Sequence, residues 1–112
     1  MKIPCRVSVT SFCLAVSATS SLHAADVAPL WRHDCAKCHG DDGRGDTKMG
    51  HKLYVSDFTD ASLQAKFTDE EAAQAIKFGL KDAKGKVIMK AINGLSDDEV
   101  KGLIAYVRSL KK

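Results

Sequence analysis

The 112-residue sequence predicts an all-α fold, and two features carry that prediction. Capping boxes of the Ser/Thr-x-x-Glu type, which mark the N-termini of helices, occur at Thr68–Glu71 and at Ser96–Glu99. After the second box, apolar residues recur three and four positions apart, on one face of a helix: Val100, Leu103, Ile104, Val107 and Leu110. No segment shows the alternation of apolar and polar residues that is typical of a half-buried strand.

The N-terminal segment, residues 1–24, has the pattern of a secretory signal peptide. Lys2 and Arg6 give it a positive start, an uncharged stretch follows, and the small residues Ala24 and Ala25 end it. Repeated serine and threonine residues dilute the uncharged stretch below the hydrophobicity that a membrane anchor needs. We therefore expect an exported, periplasmic protein with no stable membrane insertion.

Cleavage after Ala24, or alternatively after Ala25, leaves residues 25–112 as one domain. Cys5 and Cys13 leave with the signal, so only two of the four cysteines remain and no structural disulfide is expected. Of the 17 basic residues 15 remain beside all 14 acidic ones, and this near balance does not favour nucleic-acid binding.

The mature chain opens with a predicted helix over residues 26–36. Asp26 can cap it, and Pro29 falls in the first turn, where its missing N–H costs little. Residues 40–50 are rich in glycine and aspartate and are expected to form a polar loop. Residues 53–58 are compatible with an irregular segment or a single helical turn.

The second half of the chain contains two better-marked helices. One begins at the Thr68 capping box and is expected to end at Gly79, a residue type favoured just beyond a helix C-terminus. A loop rich in lysine and glycine is expected over residues 80–94. The last helix begins at the Ser96 box, and Lys111 and Lys112 lie at the negative end of its dipole.

The motif with chemical content is Cys35-Ala36-Lys37-Cys38-His39, at the end of the first predicted helix. Two cysteines at this spacing can add to the two vinyl groups of a haem, and the histidine that follows can bind its iron, so C-x-x-C-H predicts one covalently attached haem c. A zinc site would need two further cysteine or histidine ligands at matching spacing. A thioredoxin-like redox pair would follow a strand in a βαβ unit, which this sequence does not predict.

His39 is the predicted proximal ligand, and the opposite side of the iron needs a distal one. The candidates are Met89, Met49, His51 and His33. Met89 lies in the loop before the last helix, where it can fold over the opposite face, and it is the preferred ligand. Met49 follows His39 closely in a loop expected on the same face, and His33 is expected on the surface of the first helix.

In these residues the mature chain resembles a small class I (monohaem) cytochrome c of the bacterial exported type. The resemblance is carried by the following residues and segments: Cys35, Cys38, His39, the glycine–aspartate loop 40–43, Met89, and the C-terminal segments 94–99 and 105–110. It implies three to four short helices wrapped around one haem, with crossing N- and C-terminal helices. It also implies that Trp31 meets Leu103 and Tyr106 at that crossing.

Two departures from the family pattern concern proline. Lys90 follows Met89, where the family often has proline. No proline occurs after Pro29, although a proline segment in the family often supplies the backbone carbonyl that accepts the N–H of the proximal histidine. We expect a carbonyl within residues 45–51 to accept that N–H instead.

His/Met ligation fills both axial positions, so we expect an electron carrier, not an enzyme. Two alternatives stay open: a haem subunit of a larger oxidoreductase, and a protein that binds peroxide or a gas when Met89 is displaced. Five lysines cluster near Met89, opposed by Asp82 alone: Lys77, Lys81, Lys84, Lys86 and Lys90. These lysines either form a solvated loop or surround the haem edge and steer an acidic-faced redox protein towards it. In the second case we expect transient contacts between that partner and a monomeric carrier.

Overall fold

The two ends of the domain meet at a helix crossing in the computed structural model, which describes residues 27–112. The N-terminal side consists of α1 (Ala28–Leu30), a π-helical segment (Trp31–Cys35) and α2 (Ala36–His39). The C-terminal side is α6 (Asp97–Ser109).

Trp31 is the centre of this crossing. It is 3% exposed and belongs to one buried cluster with Val27 and Leu103. Its indole ring lies 5.1 Å from the ring of Tyr106, with the two planes tilted by 47°. The expected contact of Trp31 with the last helix is therefore confirmed, and burial of these large side chains ties the two termini of the domain together.

The first helical stretch differs from its predicted bounds at both ends. Val27 is its N-cap residue and makes no side-chain cap, whereas the predicted cap, Asp26, lies outside the described residues. Pro29 lies in the first turn, as expected. The helix continues past Ala36 to His39, so both cysteines of the motif lie within helical backbone.

Two short helices follow that the sequence did not predict: α3 (Lys48–Leu53) and α4 (Ala61–Gln64). Thr47 caps α3 by accepting a hydrogen bond from the backbone N–H of Gly50 at 2.8 Å. Asp60 caps α4 in the same way through the N–H of Ser62 at 2.8 Å. Helices of four to six residues are too short to show an apolar periodicity, so their caps are their main sequence signal.

Both predicted capping boxes are confirmed. α5 (Asp69–Phe78) has Thr68 as its N-cap residue and Gly79 as its C-cap residue. At the start of α6 the Ser96 hydroxyl accepts from the Glu99 N–H, and the Glu99 carboxylate accepts from the Ser96 N–H. The apolar stripe of α6 faces inward, since Val100, Leu103 and Ile104 are buried. None of the helices in the described part of the chain is long and apolar enough to span a membrane.

The all-α class is confirmed, although the expected loop 80–94 contains a small antiparallel hairpin. Its strands are β1 (Leu80–Lys81) and β2 (Val87–Met89), with Leu80 opposite Met89. The Asp82 carboxylate shapes the turn by accepting hydrogen bonds from the backbone N–H groups of Lys84 and Lys86 at 2.9 and 3.0 Å. Strands of two and three residues cannot display an alternation, which explains the miss.

Candidate haem-binding site

The motif cysteines lie one helical turn apart on the first helical stretch. Cys35 ends the π-helical segment and Cys38 lies in α2, and both are free thiols that are partly buried. Residues three apart on a helix point to the same side, so both thiols face one region of the molecule. Burial, with a smaller contribution from the Asp34 carboxylate, raises the pKa of the Cys35 thiol to about 11. This thiol stays protonated at neutral pH.

His39 directly follows the second cysteine, at the end of α2. Its imidazole ring is nearly parallel to the ring of Phe58, with centroids 4.9 Å apart and planes at 16°, and it lies 5.8 Å from the indole ring of Trp31. Burial between these rings lowers the pKa of His39 below its usual value. The side chain is therefore held in the neutral form, which is the form that binds a metal.

The Nδ1 atom of His39 is buried and has no hydrogen-bond partner among the described residues. The expectation that a carbonyl within residues 45–51 accepts its proton is therefore wrong. Two of those carbonyls are used elsewhere: Thr47 accepts from the backbone N–H of His51 at 2.9 Å, and Gly50 accepts from that of Val55 at 2.9 Å.

Hydrogen bonds fix the loop after His39 to the end of α2. The backbone N–H of Gly45 donates to the His39 carbonyl at 2.7 Å, and the Thr47 hydroxyl donates to the Cys38 carbonyl at 2.8 Å. The Trp31 indole N–H donates to the carbonyl of Gly40 at 3.0 Å. These bonds satisfy carbonyls that the helix end leaves free, and they hold the motif in one conformation. Sequence reasoning missed Thr47, whose signal was its position as a helix cap.

Met89 ends β2 and is partly buried. Its segment is anchored to α5, because the backbone N–H of Ile92 donates to the Ile76 carbonyl at 2.8 Å. Gly79 approaches the same segment closely: a Cβ there would contact the Met89 carbonyl oxygen and lie 2.8 Å from the Ala91 nitrogen. Its φ of +75° also favours glycine. The backbone that carries Met89 is therefore fixed from both sides.

The other distal candidates lie in different surroundings. Met49 is partly buried in α3. The Nε2 atom of His51 lies 2.6 Å from a carboxylate oxygen of Asp46, and both side chains are exposed. His33 is 85% exposed, as the sequence predicted, and its Nδ1 atom lies 2.7 Å from Asp34.

Large apolar side chains are exposed on the segment that leads to Met89. Phe78 is 71% exposed, Leu80 46% and Val87 48%. Exposed apolar groups gathered on one segment indicate a surface that another apolar body covers. Together with two free thiols and a neutral imidazole, they fit a haem: the thiols can form its thioethers, and these side chains can pack on it.

Comparisons with known proteins identify the family of the chain. The family model described as cytochrome c matches residues 24–111. Among solved structures, the chain is similar to the KustC0563 c-type cytochrome, with 35% sequence identity and a TM-score of 0.66. That similarity covers 76% of this chain and 96% of the other. A search of curated proteins found no match.

The family match covers most of the sequence, and the structure places the C-x-x-C-H segment at the crossing of the terminal helices. The mostly helical architecture is that of the family. The chain therefore belongs to the cytochrome c family, whose members carry covalently bound haem c.

Proposed function

We propose that this cytochrome is a diffusible carrier of single electrons. Its haem c would be attached through Cys35 and Cys38 and bound axially by His39 and Met89. The observation that carries the proposal is the C-x-x-C-H segment, with two free thiols beside a buried histidine of lowered pKa, in a member of the cytochrome c family.

Once bound, the haem supplies the one-electron chemistry, and the protein tunes it through the ligands and their surroundings. Burial between two aromatic rings presents the His39 imidazole in its neutral form. The hydrogen bonds from Gly45 and Thr47 to the end of α2 keep the backbone that carries that imidazole in a fixed place. A ligand that does not move between oxidation states lowers the reorganisation needed for electron transfer.

Met89 is the proposed distal ligand because its alternatives are less suited to the position. His51 and His33 are exposed and lie beside the carboxylates of Asp46 and Asp34. Met49 belongs to α3, whose capping residue Thr47 is hydrogen-bonded to the carbonyl of Cys38 beside the proximal histidine. Met89 lies on a separate, anchored hairpin with exposed apolar neighbours.

The visible spectrum of the oxidised holoprotein tests this proposal. A charge-transfer band at the red end of the spectrum is the expected result, because it is characteristic of methionine sulfur on ferric haem. A high-spin oxidised haem that takes up carbon monoxide readily after reduction would overturn the carrier proposal and favour gas or peroxide binding.

We also propose that residues 1–24 are a secretory signal and that the mature protein is periplasmic. The pattern of positive start, uncharged stretch and Ala24-Ala25 supports this proposal, and haem attachment through two thiols suits an exported chain. Sequencing the N-terminus of the protein from a periplasmic fraction should find Ala25 or Asp26 as the first residue. A chain that retains Met1 would contradict it.

The lysines of the hairpin segment are the proposed docking surface for an acidic-faced redox protein. Lys81, Lys84, Lys86 and Lys90 are exposed. Their acidic neighbour Asp82 binds backbone N–H groups of the turn. Lys77, the fifth lysine of the sequence cluster, lies 2.7 Å from the Asp97 carboxylate and is partly neutralised. The surface therefore presents mostly positive charge beside Met89.

The rate of electron transfer to an anionic oxidant should depend on the salt concentration because of this positive charge. Replacing Lys81, Lys84 and Lys86 by glutamine is expected to slow reduction of ferricyanide by about tenfold at low ionic strength, the lower end of electrostatic steering. The difference should shrink as salt screens the charges. Stopped-flow rates measure both effects.

A matched control replaces three lysines outside the hairpin, Lys48, Lys52 and Lys66, which are also exposed. It changes the net charge equally and should slow the reaction much less. Equal slowing in both variants, or rates that do not respond to salt, would contradict a docking surface at the hairpin.

A further inference from the structure

The His39 imidazole lies against an aromatic ring, and its buried Nδ1 atom makes no hydrogen bond among the described residues. In most haem and metal sites the second imidazole nitrogen donates to a carbonyl or carboxylate, which orients the ring and raises its basicity. Here Nδ1 is buried without a partner among residues 27–112, and the ring of Phe58 lies flat against the imidazole at 4.9 Å.

Phe58 is itself held by its backbone. Its N–H donates to the carbonyl of Gly43 at 2.9 Å. Its carbonyl accepts a hydrogen bond from the Gln64 side-chain amide at 2.6 Å. The same amide nitrogen donates to the carbonyl of Val107 in α6 at 2.8 Å. Gln64 is only 3% exposed, so these bonds form where water does not compete with them.

Arg108 fixes the orientation of the Gln64 amide. Its guanidinium donates to the Gln64 carbonyl at 2.6 Å and to the side-chain oxygen Oε1 at 3.3 Å. Because a guanidinium only donates and the carbonyls of Phe58 and Val107 only accept, Oε1 faces Arg108 and the NH₂ group faces the carbonyls. Arg108 also binds the Phe67 carbonyl at 2.9 Å and the Asp69 carboxylate at 2.9 Å.

We propose that Phe58, fixed by Gln64, is a positioning residue that sets the plane of the proximal imidazole and keeps water from its Nδ1 proton. The inference deepens the proposed function and rests on it, since it requires His39 to be the proximal ligand. An imidazole whose Nδ1–H meets no acceptor donates less electron density to iron. It therefore favours the ferrous state and a higher reduction potential.

The test compares four holoprotein variants with the wild type. Phe58→Leu removes the flat ring but keeps the site apolar, whereas Phe58→Tyr keeps an aromatic ring at this position. Gln64→Met removes the anchor while keeping the length of the side chain. Asp69→Asn is the control, because it cuts the exposed ion pair of Arg108 but leaves Gln64 and Phe58 in place.

Proton NMR of the oxidised protein is the first readout. The hyperfine-shifted haem-methyl resonances report the plane of the axial ligands, and their order is expected to change in Phe58→Leu and in Gln64→Met. The second readout is exchange of the His39 Nδ1 proton with deuterated water, which should accelerate in both variants. The midpoint potential should fall as water reaches that proton. Phe58→Tyr and Asp69→Asn should keep wild-type values.

Each outcome separates the inference from the proposed function. Suppose that His39 ligates the haem in the wild-type protein, but that Phe58→Leu keeps the wild-type methyl shifts and proton exchange. That result would overturn the inference and leave the proposed function standing. A wild-type haem that is not ligated by His39 would overturn both. If Gln64→Met does not fold, the comparison of Phe58→Leu with Phe58→Tyr decides, since both replace a residue that is only partly buried. A change shared equally by Asp69→Asn would show general loosening and contradict a specific role of Phe58.

Discussion

Replacing both Cys35 and Cys38 by alanine is expected to leave a chain that has lost most of its helical structure. The buried apolar side chains within residues 27–112 are few: Val27, Trp31, Val100, Leu103 and Ile104. So small a buried cluster contributes little stability by itself, and we expect the domain to depend on its haem, as small domains depend on a disulfide, a metal or a cofactor. Thioethers at the proposed attachment residues would keep the haem on the chain even when it opens, so their loss would remove the body on which the helices pack.

Far-UV circular dichroism of the double variant, compared with the wild-type holoprotein, measures this loss. His33→Ala is a suitable control, because His33 lies in the same helical stretch with an 85% exposed side chain and should leave the spectrum unchanged. If both cysteines attach the haem, Cys35→Ala alone would retain one thioether through Cys38, and we expect intermediate stability. Native-like helix content with a cooperative thermal transition in the double variant would show that the protein folds without its haem.

The longest elements were predictable because their signals are local. The capping boxes at Thr68 and Ser96 are complete within four residues, and the structure confirms both. The crossing of Trp31 with α6 was also predictable, but only through the resemblance to a family in which the terminal helices cross. The position of Trp31 in the sequence does not by itself identify α6 as the helix that it contacts.

The shorter elements were missed because each depends on a single cap or turn and on a few contacts to other elements. At the start of α3 the Thr47 hydroxyl accepts a hydrogen bond from the Gly50 N–H and donates one to the Cys38 carbonyl. The hairpin depends on the Asp82 turn and on the hydrogen bond that anchors the Met89 segment to α5. Single caps and turns leave no periodic pattern that a single sequence reveals.

The candidate site divides in the same way. Cys35, Cys38 and His39 lie within five consecutive residues, so their motif could be recognised directly. The environment of His39 could not be predicted, since Phe58 is distant in sequence and was in a segment without a clear assignment. The carbonyl partner of Nδ1 was expected because such hydrogen bonds orient most metal-binding histidines. Among the described residues Nδ1 has no partner, and the ring of Phe58 is stacked on the imidazole.

Replacing Met89 by alanine is expected to remove the proposed distal ligand and to leave one axial position of the haem iron open. The oxidised spectrum should lose its red charge-transfer band, and the reduced protein should take up carbon monoxide. Axial ligands tune haem potentials over about 0.8 V, and loss of the Met89 side chain as a ligand should lower the midpoint potential by roughly 0.2 V within that range. Redox titration and visible spectra measure these changes.

Met49→Ala is the matched control, because it removes the same chemical group from the other partly buried methionine. If Met89 is the ligand, Met49→Ala should keep the red band, whereas Met89→His should restore a low-spin haem at a lower potential. The opposite pattern, with the band lost only in Met49→Ala, would assign the distal position to α3. A haem bound by methionine from α3 would have both ligands on segments joined through Thr47 and Cys38. The anchored hairpin would then serve only for packing and docking, so this pair of variants decides whether the hairpin belongs to the redox centre.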